Sequence, residues 1–180
     1  MTKYRLIPID DYEQWINALE LCGIYDTYHL PEYHSLAKKQ KEGNPFLFFF
    51  QNEEYCAAFP FLLREISAVM GLDDVRSYDV TSVYGYPGVV SNIKDSSIDA
   101  AAFRNDFQKT FISVLHDMQA IAFFTRQNPL MQTSWLLDGI GEIMALGKTV
   151  AINLTQSNHE QEKNMTKGHR YDIRKAKESG

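Results

Sequence analysis

Two apolar runs joined by a short polar turn constrain this chain more than any other feature of its sequence. Phe46–Gln51 and Tyr55–Glu65 have the length and composition of strands, and Asn52-Glu53-Glu54 between them is typical of a tight turn. The sequence therefore predicts an antiparallel hairpin, which any fold of this chain must accommodate.

Regular spacing of apolar residues predicts two helices. One covers about 100–118 with Asp99 as its cap, and its apolar face is made of Phe103, Phe107, Phe111, Val114, Leu115 and Met118. The other covers about 11–21 with Asp10 as its cap, and its apolar face is made of Tyr12, Trp15, Ile16 and Leu19.

Shorter segments complete the series of elements. Pro31, a residue favoured in the first turn of a helix, predicts a third helix that runs towards Lys41. We expect irregular structure over 67–79. Strands are predicted at 3–9, 120–125, 140–146 and 148–154.

The last segment predicts one long helix. Ser157 and Glu160 match a capping box, and the helix should run nearly to the end with Gly168 as its weak point. Hairpins mixed with helices predict an α/β domain of α+β character around a mixed, largely antiparallel sheet, ending in this helix. A regular βαβαβ dinucleotide fold does not fit this order.

Charge is distributed unevenly along the chain. Its 180 residues suit one domain and carry a formal net charge of −5. Residues 1–150 hold 12 basic and 19 acidic residues, a sum of −7, whereas 151–180 hold 6 and 4, a sum of +2. The acidic body argues against nonspecific nucleic-acid binding over the whole surface, so an anion should bind at a local patch near the end.

Several features indicate a cytoplasmic protein without a metal. No apolar run approaches the roughly 20 residues of a membrane span, and no apolar signal core follows the N-terminus. Cys22 and Cys56 lack C-x-x-C spacing, so we interpret them as buried thiols in a reducing compartment, not as a disulfide framework or metal ligands. His29 and His34 lack a zinc-binding pattern and are interpreted as helix surface, so no zinc is expected.

Two loops are candidate ligand-binding segments. In Tyr84-Gly85-Tyr86-Pro87-Gly88 the glycines leave room for a ligand, and the tyrosines can stack on a flat group and donate hydrogen bonds; a rigid turn with its rings packed inward is the alternative. Arg126-Gln127-Asn128-Pro129 follows a predicted strand, a position that often lines a site, and a turn opened by Asn-Pro is an equal alternative.

The terminal helix presents a row of cations that we call the basic stripe. Its members are spaced 4, 3, 4 and 3 residues apart, within roughly 80° of one helix face: Lys163, Lys167, Arg170, Arg174 and Lys177. Met165, Ile173 and Ala176 lie on a different face that can pack. A phosphate or diphosphate suits paired guanidinium groups, and a solvated helix face is the alternative. Asp172 and Glu178 are predicted to lie outside the stripe, which favours the anion site.

The order of these stretches resembles a known family. Tyr84–Gly88, Arg126–Pro129, Thr149–Leu154 and, most specifically, Lys167–Ala176 are similar to stretches of the Fem-type (FemAB-like) acyltransferases of the GNAT superfamily. These enzymes include the peptidoglycan-bridge aminoacyltransferases. The resemblance runs from about Trp15 to Gly180 and covers their N-terminal half. It implies a GNAT-like fold and an acyl- or aminoacyltransferase of cell-wall or envelope polysaccharide synthesis.

The resemblance also implies two GNAT-like halves. Residues 1–155 would form the first GNAT-like domain, and 156–180 a basic helical segment leading to a second domain beyond Gly180. Leu136 stands three residues before Gly139, where the usual acetyl-CoA loop has Gln or Arg, so this half is expected to bind no CoA itself. The donor implied by the resemblance is an aminoacyl-tRNA or an acyl-CoA.

The resemblance assigns roles to seven residues. Lys167, Arg170 and Arg174 would hold the diphosphate of an anionic, nucleotide- or lipid-linked acceptor, which also implies peripheral membrane contact. Tyr84 and Tyr86 would shape the pocket wall, with Arg126 and Asn128 supporting it. No catalytic base is assigned, because catalysis in this family relies on positioning. The alternative function is a noncatalytic GNAT-like module whose basic helix binds a protein partner.

Overall fold

A computed structural model describes residues 3–66 and 77–180 of the chain. It divides them into two compact units, one ending at Ile143 and one spanning Met144–Gly180. The predicted domains, 1–155 and 156–180, remain a prediction.

The first unit is built on a six-stranded sheet. Its strands are β1 (Lys3–Pro8), β2 (Asn44–Gln51), β3 (Cys56–Glu65), β4 (Tyr78–Thr81), β5 (Val90–Ser91) and β6 (Ala120–Phe123). The order is β1-β2-β3-β4-β6, and β5 pairs with β3 beside Ala57 and Ala58. All pairs are antiparallel except β4 and β6, which are parallel. The predicted mixed, largely antiparallel sheet is confirmed.

The predicted hairpin is confirmed as β2 and β3. In the turn, the Asn52 side-chain oxygen accepts hydrogen bonds from the backbone N–H groups of Glu54 and Tyr55, at 3.0 and 2.6 Å. This Asx-type turn closes the loop without a glycine, because the asparagine side chain replaces a backbone acceptor.

Helices cover both faces of the hairpin strands. The first unit contains α1 (Tyr12–Cys22), α2 (Pro31–Lys39) and α3 (Ala100–Asp117), with short 3-10 turns at Thr27–His29 and Ser134–Leu137. Phe48 and Phe50 pack with α3, whereas Leu47 and Phe49 pack with α1. Alternate side chains of β2 thus enter two separate cores, which explains why its apolar run is continuous.

The α3 prediction is confirmed, since Phe103, Phe107, Phe111 and Val114 are all buried. Rings of β2 and β3 surround Phe111, whose centroid lies 5.3 Å from that of Phe48 and 5.2 Å from that of Phe59. Aromatic packing of this kind supplies large buried areas per residue.

The predicted apolar face and cap of α1 are partly wrong. Trp15 and Leu19 are buried, but Tyr12 is exposed, and the rest of the buried face is Ala18 and Cys22. The capping position is Asp11, not Asp10, and its side chain makes no capping hydrogen bond. The Tyr12 hydroxyl instead donates to the exposed Glu32 carboxylate, so this ring stays at the surface.

The second unit contains two helices where one was predicted. α4 (Asn158–Asn164) and α5 (Lys167–Glu178) are separated at Met165 and Thr166, not at Gly168. The capping box of Ser157 and Glu160 is confirmed. Thr166 starts a new helix because its hydroxyl accepts the backbone N–H of His169, and threonine favours capping over a helix interior.

The two strands predicted at 140–146 and 148–154 are wrong. Gly141 makes an isolated bridge to Asp138, and no strand of the described chain pairs with the segment that follows. Alternating apolar residues satisfy the strand pattern, but a strand also needs a neighbour for its backbone hydrogen bonds. Met144, Leu146, Val150, Ile152 and Leu154 are exposed.

The irregular segment predicted at 67–79 lies largely outside the described residues, which resume at Ser77. Its end is wrong, because Tyr78 and Asp79 belong to β4 and pair with Glu65 and Arg64.

Candidate functional site

The Tyr84–Gly88 loop follows β4 with a buried backbone and two outward tyrosines. Val83, Gly85 and Pro87 are buried, whereas Tyr84 is 79% exposed and Tyr86 is 38% exposed. The alternative of a turn with its rings packed inward is therefore wrong. The loop therefore presents one largely exposed ring and one partly buried ring.

A third tyrosine supports this loop from beneath. The Tyr28 ring stands edge-on to that of Tyr86, with centroids 6.1 Å apart, and edge-on to that of Tyr33, at 5.5 Å. Gly85 has φ of +103° and lies so close to the Tyr28 ring that a Cβ there would overlap it. Only glycine fits, because both the backbone conformation and the close approach exclude a side chain.

The structure brings the second candidate loop against the first. The Gly88 N–H donates to the Arg126 carbonyl at 3.0 Å, and the Val89 N–H donates to the Gln127 side-chain oxygen at 3.5 Å. The two loops follow β4 and β6, the parallel pair, so both leave the sheet at the same edge. Tyr84, Tyr86, Arg126 and Asn128 thus belong to one region, as their common assignment to a pocket requires.

Arg126 and Asn128 differ sharply in accessibility. Arg126 is exposed, lies over the Phe124 ring at 5.2 Å, and pairs with no carboxylate of the described chain. Asn128 is 7% exposed; its amide N–H donates to Asp26 at 2.6 Å, and its oxygen accepts the Leu130 N–H at 2.9 Å. Arg126 can contact a ligand, whereas Asn128 holds the loop in place.

Asp26 links the loops to the segment before α2. Its carboxylate contacts His29 Nδ1 at 2.9 Å and accepts the Tyr28 N–H at 2.9 Å, in addition to the Asn128 amide. Burial alone would raise the pKa of Asp26, but the hydrogen bond and charge of His29, with the other two donors, lower it below its ordinary value. The carboxylate stays ionised and fixes Tyr28 beneath Tyr86.

Sequence reasoning missed this cluster because it placed His29 and His34 on a helix surface. Both are fully buried. His34 Nε2 lies 3.0 Å from the Tyr28 carbonyl, to which it must donate, and desolvation lowers the pKa of His34 to about 4. The signal available in the sequence was Asp26 three residues before His29, a spacing that allows the aspartate to cap the Thr27–His29 turn.

The remaining three predicted site residues lie together on α5 of the second unit. Lys167 and Arg170 are exposed and pair with no carboxylate of the described residues. Arg174 faces Glu178 at 3.9 Å, so the prediction that Glu178 lies outside the stripe is wrong. Lys177 pairs with Glu162 at 3.2 Å, and Lys163 belongs to α4.

Four of the five residues of the basic stripe therefore lie on α5. The two that form no ion pair with the described residues, Lys167 and Arg170, lie near the start of this helix. The predicted packing face is partly confirmed, because Met165 and Ile173 are half-buried whereas Ala176 is exposed.

The described part of the chain contains no group of three or more His, Cys, Asp or Glu residues arranged to hold a metal ion. None of its helices has the length and apolar character needed to cross a membrane.

Comparisons with protein-family models, curated proteins and solved structures give no match to this chain.

Proposed function

We propose that this chain is the first half of an acyl- or aminoacyltransferase of the Fem-type branch, acting on an anionic acceptor in cell-wall or envelope polysaccharide synthesis. The observation that carries the proposal is the convergence of the Tyr84–Gly88 and Arg126–Pro129 loops. These two stretches, 38 residues apart in the sequence, meet through the Gly88 to Arg126 and Val89 to Gln127 hydrogen bonds. Ligands of open α/β sheets commonly bind where parallel strands end, as β4 and β6 do here.

In this proposal the exposed side chains contact the ligand and the buried ones hold them. Tyr84 and Tyr86 offer ring faces and hydroxyl donors, and Arg126 offers a guanidinium that pairs with no carboxylate in the part of the chain that the structure describes. The Asn128 amide donates to Asp26, and this hydrogen bond holds the second loop against the segment that supports the first. The donor is an aminoacyl-tRNA or an acyl-CoA, and catalysis relies on positioning the reactants.

The acceptor is proposed to bind α5 through its phosphates. Lys167 and Arg170 carry charges that no carboxylate of the described residues offsets, and the exposed pair of Arg174 with Glu178 at 3.9 Å is weak enough for a diphosphate to replace. Planar guanidinium groups can each hold two phosphate oxygens, which favours diphosphate-linked acceptors over monoanions.

Removal of two guanidinium groups tests this assignment. We expect Arg170→Ala with Arg174→Ala to weaken binding of a nucleoside-diphosphate sugar more than tenfold at moderate salt, measured by isothermal titration calorimetry. The matched control, Lys148→Ala with Lys175→Ala, removes the same charge from exposed positions outside the stripe and should leave affinity within about twofold. Unchanged affinity in the Arg170/Arg174 variant would refute the acceptor site.

A second candidate function is a noncatalytic module that binds a protein partner. The exposed apolar residues over 144–154 favour it, because exposed apolar surface of this kind often marks a protein interface. A thermal-shift screen separates the two functions. Stabilisation by nucleoside-diphosphate sugars or acyl-CoA supports the transferase, and stabilisation by neither supports the module.

A further inference from the structure

The two cysteines of the chain, 34 residues apart in sequence, meet inside the first unit. Cys22 is the last residue of α1 and Cys56 the first residue of β3, and their Sγ atoms are 3.6 Å apart. They are 1% and 5% exposed, within a cluster that includes Trp15 and Leu19. Both are free thiols.

We propose that Cys22 and Cys56 form an oxidation site that closes to an intramolecular disulfide in the folded protein. A disulfide bond is about 2.05 Å long, so the sulfurs need to approach by roughly 1.5 Å. Each cysteine stands at the end of its element, where one side-chain rotation or a small shift of the helix terminus brings the sulfurs together.

Cys56 is held as the fixed partner of the pair. Its N–H donates to the Asn92 side-chain oxygen at 2.8 Å, and its carbonyl accepts from the Ser91 hydroxyl at 2.6 Å and the Asn92 N–H at 3.3 Å. Cys22, at the C-terminal end of α1, is the partner that must adjust.

The two thiols are chemically unequal. The hydrogen bond to Cys56, together with burial, raises the pKa of Cys22, whereas accepting that hydrogen bond lowers the pKa of Cys56. Because the thiolate is the nucleophile, Cys56 is the sulfur that attacks a peroxide first.

The chemistry balances with hydrogen peroxide as the oxidant. The Cys56 thiolate attacks one peroxide oxygen, the O–O bond breaks, and the products are a sulfenic acid and hydroxide. The Cys22 sulfur then attacks the Cys56 sulfur, the S–O bond breaks, and water leaves with the Cys22 proton. In sum, two thiols and one peroxide give one disulfide and two waters, and a dithiol reductant reverses the change.

Closure would tie α1 to β3 across a loop of more than thirty residues. A cross-link over that separation restricts the unfolded chain and stabilises the fold. It also anchors the start of the segment that contains Asp26 and Tyr28, the residues that support the Tyr84–Gly88 loop.

The experiment treats the full chain with hydrogen peroxide, then alkylates it in denaturant and measures its intact mass. We expect two alkylated thiols before treatment and none after it, with the two cysteine peptides joined in a non-reduced digest. The melting temperature should rise by roughly 5 °C or more, and dithiothreitol should reverse both changes. In Cys22→Ser, dimedone should trap a sulfenic acid on Cys56, whereas Cys56→Ser should leave Cys22 largely unmodified.

Two results would overturn the proposal. One is a folded protein that keeps both thiols under conditions in which the same chain in denaturant oxidises. The other is a product made of cross-links between chains, or of sulfinic acid, in place of the internal disulfide.

Discussion

The two units of this protein stabilise their helices in opposite ways. In the first unit α1 and α3 bury four and five residues, yet the aspartates at their capping positions, Asp11 and Asp99, make no side-chain capping hydrogen bond. In the second unit α4 and α5 bury none, yet both are capped by side chains, those of Ser157 and Thr166. Among these four helices, side-chain caps are therefore found on the two that bury no residue.

This difference separates the unit whose stability comes from a packed core from the unit whose charged side chains are exposed. Short helices are marginal without tertiary packing, so caps and local ion pairs must define α4 and α5. The first unit is rigid enough to hold Tyr84 and Tyr86 outward over buried supports. The second unit leaves its cations exposed to solvent, which suits contact with an anion but adds little to the fold.

The largest expected effect comes from the aromatic core. Phe111→Ala removes a ring that contacts Phe48, Phe59 and Phe123, and we expect a loss of about 3–5 kcal/mol in the free energy of unfolding. Urea denaturation followed by fluorescence measures it. The matched change in the second unit, Tyr171→Ala, removes an exposed ring and should cost within about 0.5 kcal/mol. Equal losses in the free energy of unfolding for the two variants would contradict the contrast between the two units.

Buried His34 should make the first unit sensitive to acid. Its pKa is about 4 in the folded state and 6.5 ordinarily, so the unfolded chain takes up a proton first. Stability is therefore full above pH 6.5 and falls by about 3 kcal/mol as the pH drops from 6.5 to 4. Urea titrations across this range test it. His34→Gln should flatten the slope, and an unchanged slope would assign the titration to another group.

The Asn128 amide is expected to matter for the fold more than Arg126 does. Asn128→Ala removes one of the three donors to the Asp26 carboxylate and should cost about 1–3 kcal/mol, because a half-buried carboxylate loses a hydrogen bond. Arg126→Ala should leave stability within about 0.5 kcal/mol and weaken ligand binding instead. Chemical denaturation and calorimetric titration of both variants give the comparison. If Arg126→Ala is the more destabilising change, the division between support and contact is wrong.

The smallest effect is expected at the capping box of α4. Ser157→Ala removes the acceptor for the Glu160 N–H and should destabilise that helix locally by about 1 kcal/mol. Far-UV circular dichroism should show a small loss of helix while the urea midpoint of the first unit stays fixed. A shift of that midpoint would mean that the caps contribute to the core.

Local patterns predicted the elements that a short window of sequence determines. The hairpin, α3 and the capping box of Ser157 depend on residues close in sequence, and all three are confirmed. The strands expected over 140–154 failed because alternation does not supply a partner strand. The single terminal helix failed because Thr166 prefers to cap.

Long-range contacts account for what the sequence did not reveal about the candidate site. The motifs identified Tyr84, Tyr86, Arg126 and Asn128, but not the segment 26–34 that supports them. Asp26 meets Asn128 across 102 residues, and Cys22 meets Cys56 across 34. No spacing rule reports such contacts, so the link between Asp26 and Asn128 and the pairing of the two thiols appear only once the sheet is assembled.

Hydrogen exchange followed by mass spectrometry tests most directly whether core packing stabilises the first unit while caps and local ion pairs stabilise the helices of the second. We predict that amides of β2 and β3 exchange only through global unfolding, whereas those of α4 and α5 exchange orders of magnitude faster. Comparable protection in the two units would contradict this explanation, because it would require core packing in α4 and α5, which bury no residue.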